Sequence, residues 1–126
     1  MTFLVPIRTV SELNRREHWA ARAKRTAANR DAVACALKVR APPPLPVSVR
    51  LTRIAPRALD SDNLAGALKA TRDQVAVWLG LPIAKRRGRP VADDRDPRVA
   101  WAVDQRRAGP HSYGVEIEIL QREVAA

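Results

Sequence analysis

The chain has 126 residues, enough for one domain that buries roughly two thirds of the surface of its unfolded chain. Lys and Arg total 23 against 13 Asp and Glu, and this net charge of +10 is typical of a protein that binds a polyanion, nucleic acid above all. The single cysteine excludes an internal disulfide, and the lack of a long apolar stretch predicts a cytoplasmic protein, nucleoid-associated if it binds DNA, without a membrane segment.

The first third of the chain predicts a strand followed by a long helix. Residues 2–7 are mostly apolar and predict the first strand. Thr9 and Glu12 have the spacing of a capping box, and a run rich in Ala, Arg and Lys without Gly or Pro predicts a helix from residue 11 to about residue 39. Its apolar positions form a thin stripe, made of Leu13, Trp19, Ala20, Ala23, Ala27, Ala34 and Leu37.

The other side of this helix is basic. Phosphate groups of nucleic acid are ordinary partners for such a surface, although a solvated helix face has the same composition. The candidate DNA-binding residues on this helix are Arg15, Arg16, Lys24 and Arg25.

The middle of the chain predicts a strand and a second helix. Residues 41–46 read APPPLP and must be an extended connector, because consecutive prolines exclude a helix. Val47, Val49 and Leu51 alternate with polar residues, as in a half-buried strand. Residues 63–80 then predict a helix that ends at Gly80. Its apolar stripe consists of Leu64, Leu68, Thr71, Val75, Trp78 and Leu79.

The last part of the chain predicts a basic loop and a closing hairpin. The loop, residues 81–91, contains four more candidates for phosphate contacts, Lys85, Arg86, Arg87 and Arg89. Alternating apolar residues on both sides of a turn at 108–112 predict two antiparallel strands. The order β-α-β-α-β-β indicates one α/β (α+β) domain over residues 1–126, with a mixed sheet packed by two helices.

Carboxylates are concentrated in two places. Asp60 and Asp62 lie where the second strand gives way to the second helix, and Asp93 and Asp94 follow the basic loop. Such carboxylates can converge on Mg²⁺, which prefers oxygen ligands, and a metal would offset the negative charge in so basic a protein. An Asp at this position is also an ordinary helix N-cap, so the pattern leaves a purely structural role open.

Two residues of the second helix extend this pattern. At 100° per residue, Lys69 and Asp73 return to the face of Asp62, opposite the apolar stripe. We therefore expect this face to point toward solvent or a ligand. Asp73 lies four residues after Lys69, a spacing that permits an ion pair.

The combination of Asp60-x-Asp62-Asn63-Leu64, Lys69, Asp73 and Asp93-Asp94 resembles the RusA-type Holliday junction resolvases of bacteria and their phages. The resemblance implies a homodimer that cuts four-way DNA junctions with Mg²⁺, for which Mn²⁺ can substitute. It implies that Asp60, Asp62 and Asp94 bind the metal and that Lys69 is the assisting cation. Lys69 lies seven residues after Asp62 where the family has four, which indicates a divergent member.

Metal held by the three aspartates would activate water and stabilise the crowded transition state of phosphodiester hydrolysis. Lys69 would neutralise charge on the phosphate or protonate the leaving 3′ oxygen. Two other interpretations stay open: a nuclease for flaps or forks, and a non-catalytic nucleic-acid-binding protein on the same scaffold.

Overall fold

The computed structural model describes residues 1–10, 18–86, 89–92 and 95–123, and of residues 84–86 and 89–92 it describes the backbone only. Within these ranges the chain has an α+β fold, as predicted. Its elements in chain order are β1 (Thr2–Val5), α1 (Trp19–Leu37), β2 (Val47–Ala55), α2 (Ser61–Ala67), α3 (Lys69–Trp78), β3 (Ile83–Arg86), β4 (Arg89–Ala92), β5 (Val99–Arg107) and β6 (Gly114–Gln121).

Four strands form a mixed sheet in the order β1-β6-β2-β5. β2 is parallel to β5 and antiparallel to β6, and β1 is antiparallel to β6. The predicted closing hairpin is wrong, because β2 lies between β5 and β6. Alternation shows which side of a strand is buried but not which strand lies beside it. The parallel pairing of β2 and β5 requires a long connection, which α2, α3, β3 and β4 occupy.

One hydrophobic core lies between the sheet and the helices. Val47, Val49 and Leu51 of β2 are fully buried, and Val115, Ile117 and Ile119 of β6 are buried beside them. The even-numbered positions of these strands face the opposite side, where Arg50 and Leu120 are exposed. The sheet therefore has one face covered by helices and one face that the described residues leave uncovered.

The helix α1 packs on the core only near its end. Val33 and Leu37 are its buried residues, whereas Trp19, predicted to lie on the apolar stripe, is 76% exposed. Apart from Trp19, residues 19–28 of the helix carry no apolar side chain larger than that of alanine, so little favours the burial of this half. His18 is the N-cap, and its Nδ1 accepts a hydrogen bond from the amide of Ala20 at 3.2 Å. The predicted start at residues 11–17 lies outside the described residues.

The predicted helix over residues 63–80 is two helices, α2 and α3, which meet at Leu68. Leu68 has φ −97° and ψ 0°, which interrupts the regular helical backbone. Its side chain is buried, and the predicted apolar stripe lies in or against the core across the break. Gly80 follows α3 with φ 77°, the left-handed conformation of a helix C-terminus, as predicted.

The predicted basic loop contains a β-hairpin. β3 and β4 pair antiparallel, with Lys85 opposite Pro90 and Arg86 opposite Arg89, and form a separate two-stranded sheet. The run of basic residues obscured the strand pattern, because charged side chains are common in both loops and exposed strands. None of the described helices has the length and apolar character needed to cross a membrane.

Candidate metal and nucleic-acid site

Asp60 is the N-cap of α2. Its Oδ1 accepts a hydrogen bond from the amide of Asn63 at 2.9 Å, and Nδ2 of Asn63 donates to both carboxylate oxygens, each at 2.9 Å. These hydrogen bonds stabilise the charged form and lower the pKa of Asp60. The structural role left open by the sequence is therefore confirmed for Asp60, and its carboxylate is both ionised at neutral pH and held in place.

Asp62 is the second residue of α2 and is exposed. It lies in the first turn of the helix, two residues from Asp60, so both carboxylates are at the end of the helix that carries a partial positive charge. Two carboxylate groups at one turn suit a hard divalent cation, which prefers oxygen ligands. Within the described ranges, no three His, Cys, Asp or Glu side chains form a group that could hold a metal ion. Asp94, the expected third ligand, lies outside the described residues.

Lys69 and Asp73 form the expected ion pair, with Nζ of Lys69 3.0 Å from Oδ1 of Asp73. The other carboxylate oxygen of Asp73 is 3.4 Å from Nη2 of Arg30 on α1. The side chain of Asp73 is only 15% exposed, whereas that of Lys69 is 53% exposed. The prediction that Asp73 faces solvent or a ligand is therefore wrong, because this carboxylate connects α3 to α1.

The break at Leu68 places Asp62 and Lys69 on different helices. The angular argument that put both residues on one helical face assumed a continuous helix, so it does not apply. Lys69 remains a candidate for the assisting cation, because it lies at the start of α3 and its side chain is exposed.

Gln105 of β5 holds the residue that precedes Asp60. Its Nε2 donates to the carbonyl oxygen of Leu59 at 2.7 Å, and its Oε1 accepts from the amide of Leu59 at 2.9 Å. The side-chain amide thus pairs with the backbone of Leu59 as a neighbouring strand would. Sequence patterns missed Gln105, since it lies 46 positions from Leu59 and glutamine is ordinary on an exposed strand.

The predicted DNA-binding residues fall on two elements. Lys24 and Arg25 lie on α1, in its exposed half. Lys85 and Arg86 belong to β3 and Arg89 to β4, so these residues are on a hairpin instead of a loop. Arg15, Arg16 and Arg87 lie outside the described residues.

A cluster of arginines near Asp60 was not predicted. Arg53 occupies an odd-numbered position of β2 and is 7% exposed, and Arg8 and Arg57 line the same cavity. The signal in the sequence is that Arg53 continues the buried alternation of Val47, Val49 and Leu51.

Comparisons with protein-family models, with curated proteins and with solved structures find no match.

Proposed function

We propose that this chain is a Mg²⁺-dependent, structure-selective endodeoxyribonuclease that resolves Holliday junctions or related branched DNA. The main support is the position of Asp60 and Asp62. They lie in one helical turn shortly after the central strand β2, and a basic surface leads up to them. The resemblance to RusA-type resolvases rests on the same residues.

Asp60, Asp62 and Asp94 are the proposed ligands, and Mn²⁺ is expected to substitute for Mg²⁺. When bound, the metal supplies an activated water and neutralises charge on the phosphate. Hydrogen bonds from Asn63 keep Asp60 ionised and oriented, so this carboxylate needs little rearrangement to bind a cation. Lys69 is the proposed cation beside the phosphate, and Asp73 orients it at 3.0 Å.

The DNA-binding role is supported by two adjoining cavities. A cavity of about 460 Å³ is lined by Arg25 of α1 and by Arg8. Arg8 also lines a second cavity, of about 440 Å³, which extends to Leu59, the neighbour of Asp60. Basic side chains therefore line the surface from the exposed part of α1 to the residue before Asp60. A DNA strand bound along this surface would reach Asp60.

We also propose a homodimer. A four-way junction is resolved by two symmetric cuts, and a two-fold symmetric pair of active sites makes them in a coordinated way. Light scattering at micromolar concentration is expected to give twice the 13.9 kDa mass of the chain. A species of only the single-chain mass would contradict the dimer.

A specific observation favours the non-catalytic alternative. Both carboxylate oxygens of Asp60 already accept hydrogen bonds from Asn63, as in a helix cap without any metal. On this interpretation the chain binds branched nucleic acid through its basic surface and does not cut it.

Labelled four-way junction, fork, flap, duplex and single strand, each incubated with and without Mg²⁺, separate these functions. Cleavage of branched DNA only with Mg²⁺, and its loss in Asp62→Asn, would support the nuclease. Tight binding without cleavage would support the alternative. Equal cutting of all five substrates would overturn structure selectivity.

A further inference from the structure

Arg53 is a buried cation whose described partners are all neutral. Its Nε donates to the hydroxyl of Thr9 at 3.1 Å, Nη1 donates to the carbonyl of Arg57 at 2.7 Å, and Nη2 lies 3.4 Å from the carbonyl of Thr9. Burial lowers its pKa, yet a guanidinium remains charged in proteins. A buried charge is costly without a counterion, and the described part of the chain supplies none, so an anion is the expected partner of Arg53.

Two further arginines face the same cavity. Arg8 lies over the ring of Tyr113, with its guanidinium carbon 4.7 Å from the ring centroid, and Arg57 is exposed at the rim. The cation–π contact orders Arg8 beside the cavity. The described residues that line the cavity include these two arginines and Arg53 but no Asp or Glu, so the described lining is purely basic.

The hydrogen bonds of Arg53 leave part of its capacity unused. A guanidinium has five N–H donors, and the three contacts with Thr9 and Arg57 account for three of them. The contacts fix the plane of the guanidinium, so the remaining donors are preorganised. Preorganised guanidinium groups match the oxygens of a phosphate, which they bind through paired, charge-assisted hydrogen bonds.

We propose that the cavity lined by Arg8, Arg53, Arg57 and Tyr113, called here the arginine pocket, binds one phosphate group of a nucleic-acid strand. Its volume of about 440 Å³ admits a phosphate with its attached sugar. Leu59 lines the pocket and precedes Asp60. A phosphate bound in the pocket would therefore be near, along the same nucleic-acid strand, the phosphate that is cut at Asp60 and Asp62. Nucleic acid as the source of the phosphate rests on the proposed function.

The pocket can be tested without cleavage, by titrating the intact protein with inorganic phosphate and recording backbone amide NMR spectra. Sodium chloride at matched ionic strength controls for general charge effects. We expect saturable shifts at the amides of Thr9, Arg57 and Tyr113, and about tenfold weaker affinity in Arg57→Ala, which removes one charge-assisted hydrogen-bonding group. The variant keeps the backbone carbonyl that accepts from Arg53, so the fold should persist.

Arg50→Ala is the matched control, since Arg50 is an exposed arginine of β2 that faces the uncovered side of the sheet. It removes the same charge and should leave phosphate affinity unchanged. Shifts that fail to saturate, or equal weakening in Arg50→Ala and Arg57→Ala, would overturn the pocket.

Metal-free binding of oligonucleotides with and without a 5′-phosphate identifies the source. If the pocket binds an internal phosphodiester, Arg57→Ala should weaken the binding of both oligonucleotides equally. For duplex DNA it should also reduce the steepness of log K against log salt by about 0.9. A terminal phosphate predicts weakening only for the phosphorylated strand. Phosphate binding without any cleavage of DNA would support the arginine pocket and contradict the proposed nuclease activity. Cleavage of DNA without phosphate binding would support the nuclease and contradict the arginine pocket.

Discussion

The side-chain amide of Gln105 pairs with the backbone of Leu59, donating at 2.7 Å and accepting at 2.9 Å. This contact ties β5 to the segment between β2 and α2, immediately before Asp60. The backbone of Leu59 thereby has a fixed place although it belongs to neither a strand nor a helix. Gln105 therefore holds the backbone of the residue that precedes Asp60, the proposed metal ligand.

Gln105→Ala is expected to lower the unfolding free energy by about 1–2 kcal/mol, because the partly buried N–H and C=O of Leu59 both lose their partners. If Gln105 positions Asp60, the Mg²⁺ concentration for half-maximal cleavage should also rise several-fold. Val103→Ala, an exposed position two residues earlier on β5, is the control. An unchanged Mg²⁺ midpoint in Gln105→Ala would reduce this residue to a purely structural role.

Asp62→Asn tests the metal site with little disturbance of folding, since the N-cap is Asp60. We expect unfolding free energy to change by no more than about 1 kcal/mol, the usual range for a charge near a helix N-terminus. Cleavage should fall at least about a hundredfold, which corresponds to about 3 kcal/mol of lost transition-state stabilisation. DNA binding without metal should persist or tighten. Ser61→Ala, in the same turn, is the control, and full activity of folded Asp62→Asn would refute the catalytic assignment.

The pKa of Asp60 should be measurable by ¹³C NMR of its carboxyl carbon during a pH titration. We expect a value below the ordinary one of about 3.9, and an upward shift in Asn63→Ala, which loses the side-chain hydrogen bonds but keeps the backbone amide. Because the folded-state pKa is lowered, the ionised cap contributes its full stabilisation of the fold at pH values above the ordinary pKa of an aspartate. The stabilisation is lost as pH falls through the lowered pKa. A titration at or above the ordinary value in the wild type would contradict the cap.

The contact of Asp73 with Arg30 can be measured by a double-mutant cycle. Urea unfolding of Arg30→Ala, Asp73→Ala and the double variant should give a coupling energy of about 0.5–1 kcal/mol, since Arg30 is half exposed. The same cycle with Lys69→Ala in place of Arg30→Ala measures the coupling energy of the Lys69–Asp73 pair within α3. Zero coupling for Arg30 would mean that Asp73 does not connect α3 to α1 in solution.

The basic hairpin is expected to bind phosphates. Replacing Lys85, Arg86, Arg87 and Arg89 by Ala should weaken binding to duplex DNA and lower the slope of log K against log salt by about 0.9 for each phosphate that the hairpin no longer neutralises. Arg50→Ala with Arg106→Ala, on the uncovered sheet face, removes two of the four charges elsewhere and shows how much a loss of net charge alone weakens binding. An unchanged slope in the hairpin variant would show that these residues do not touch phosphate.

Local patterns were sufficient for much of the fold. Alternation predicted the buried positions of β2 and β6, and the stripe from Leu64 to Leu79 was right even though the helix breaks at Leu68. The order of helices and long strands and the stop at Gly80 also followed. These features depend on the spacing of neighbouring side chains, which the sequence states directly. The hairpin of β3 and β4 did not follow, because its charged residues have no apolar period.

The sequence by itself determined the net charge, the α+β class and the chemical types of the candidate ligands. Only the tertiary structure decided that β2 separates β5 from β6, that Asp73 turns toward Arg30, and that Gln105 holds Leu59. The last two pairs are 43 and 46 residues apart. A local period determines which side of an element is buried, but the partner on that side depends on how the whole core packs, so distant contacts emerge only in the folded chain.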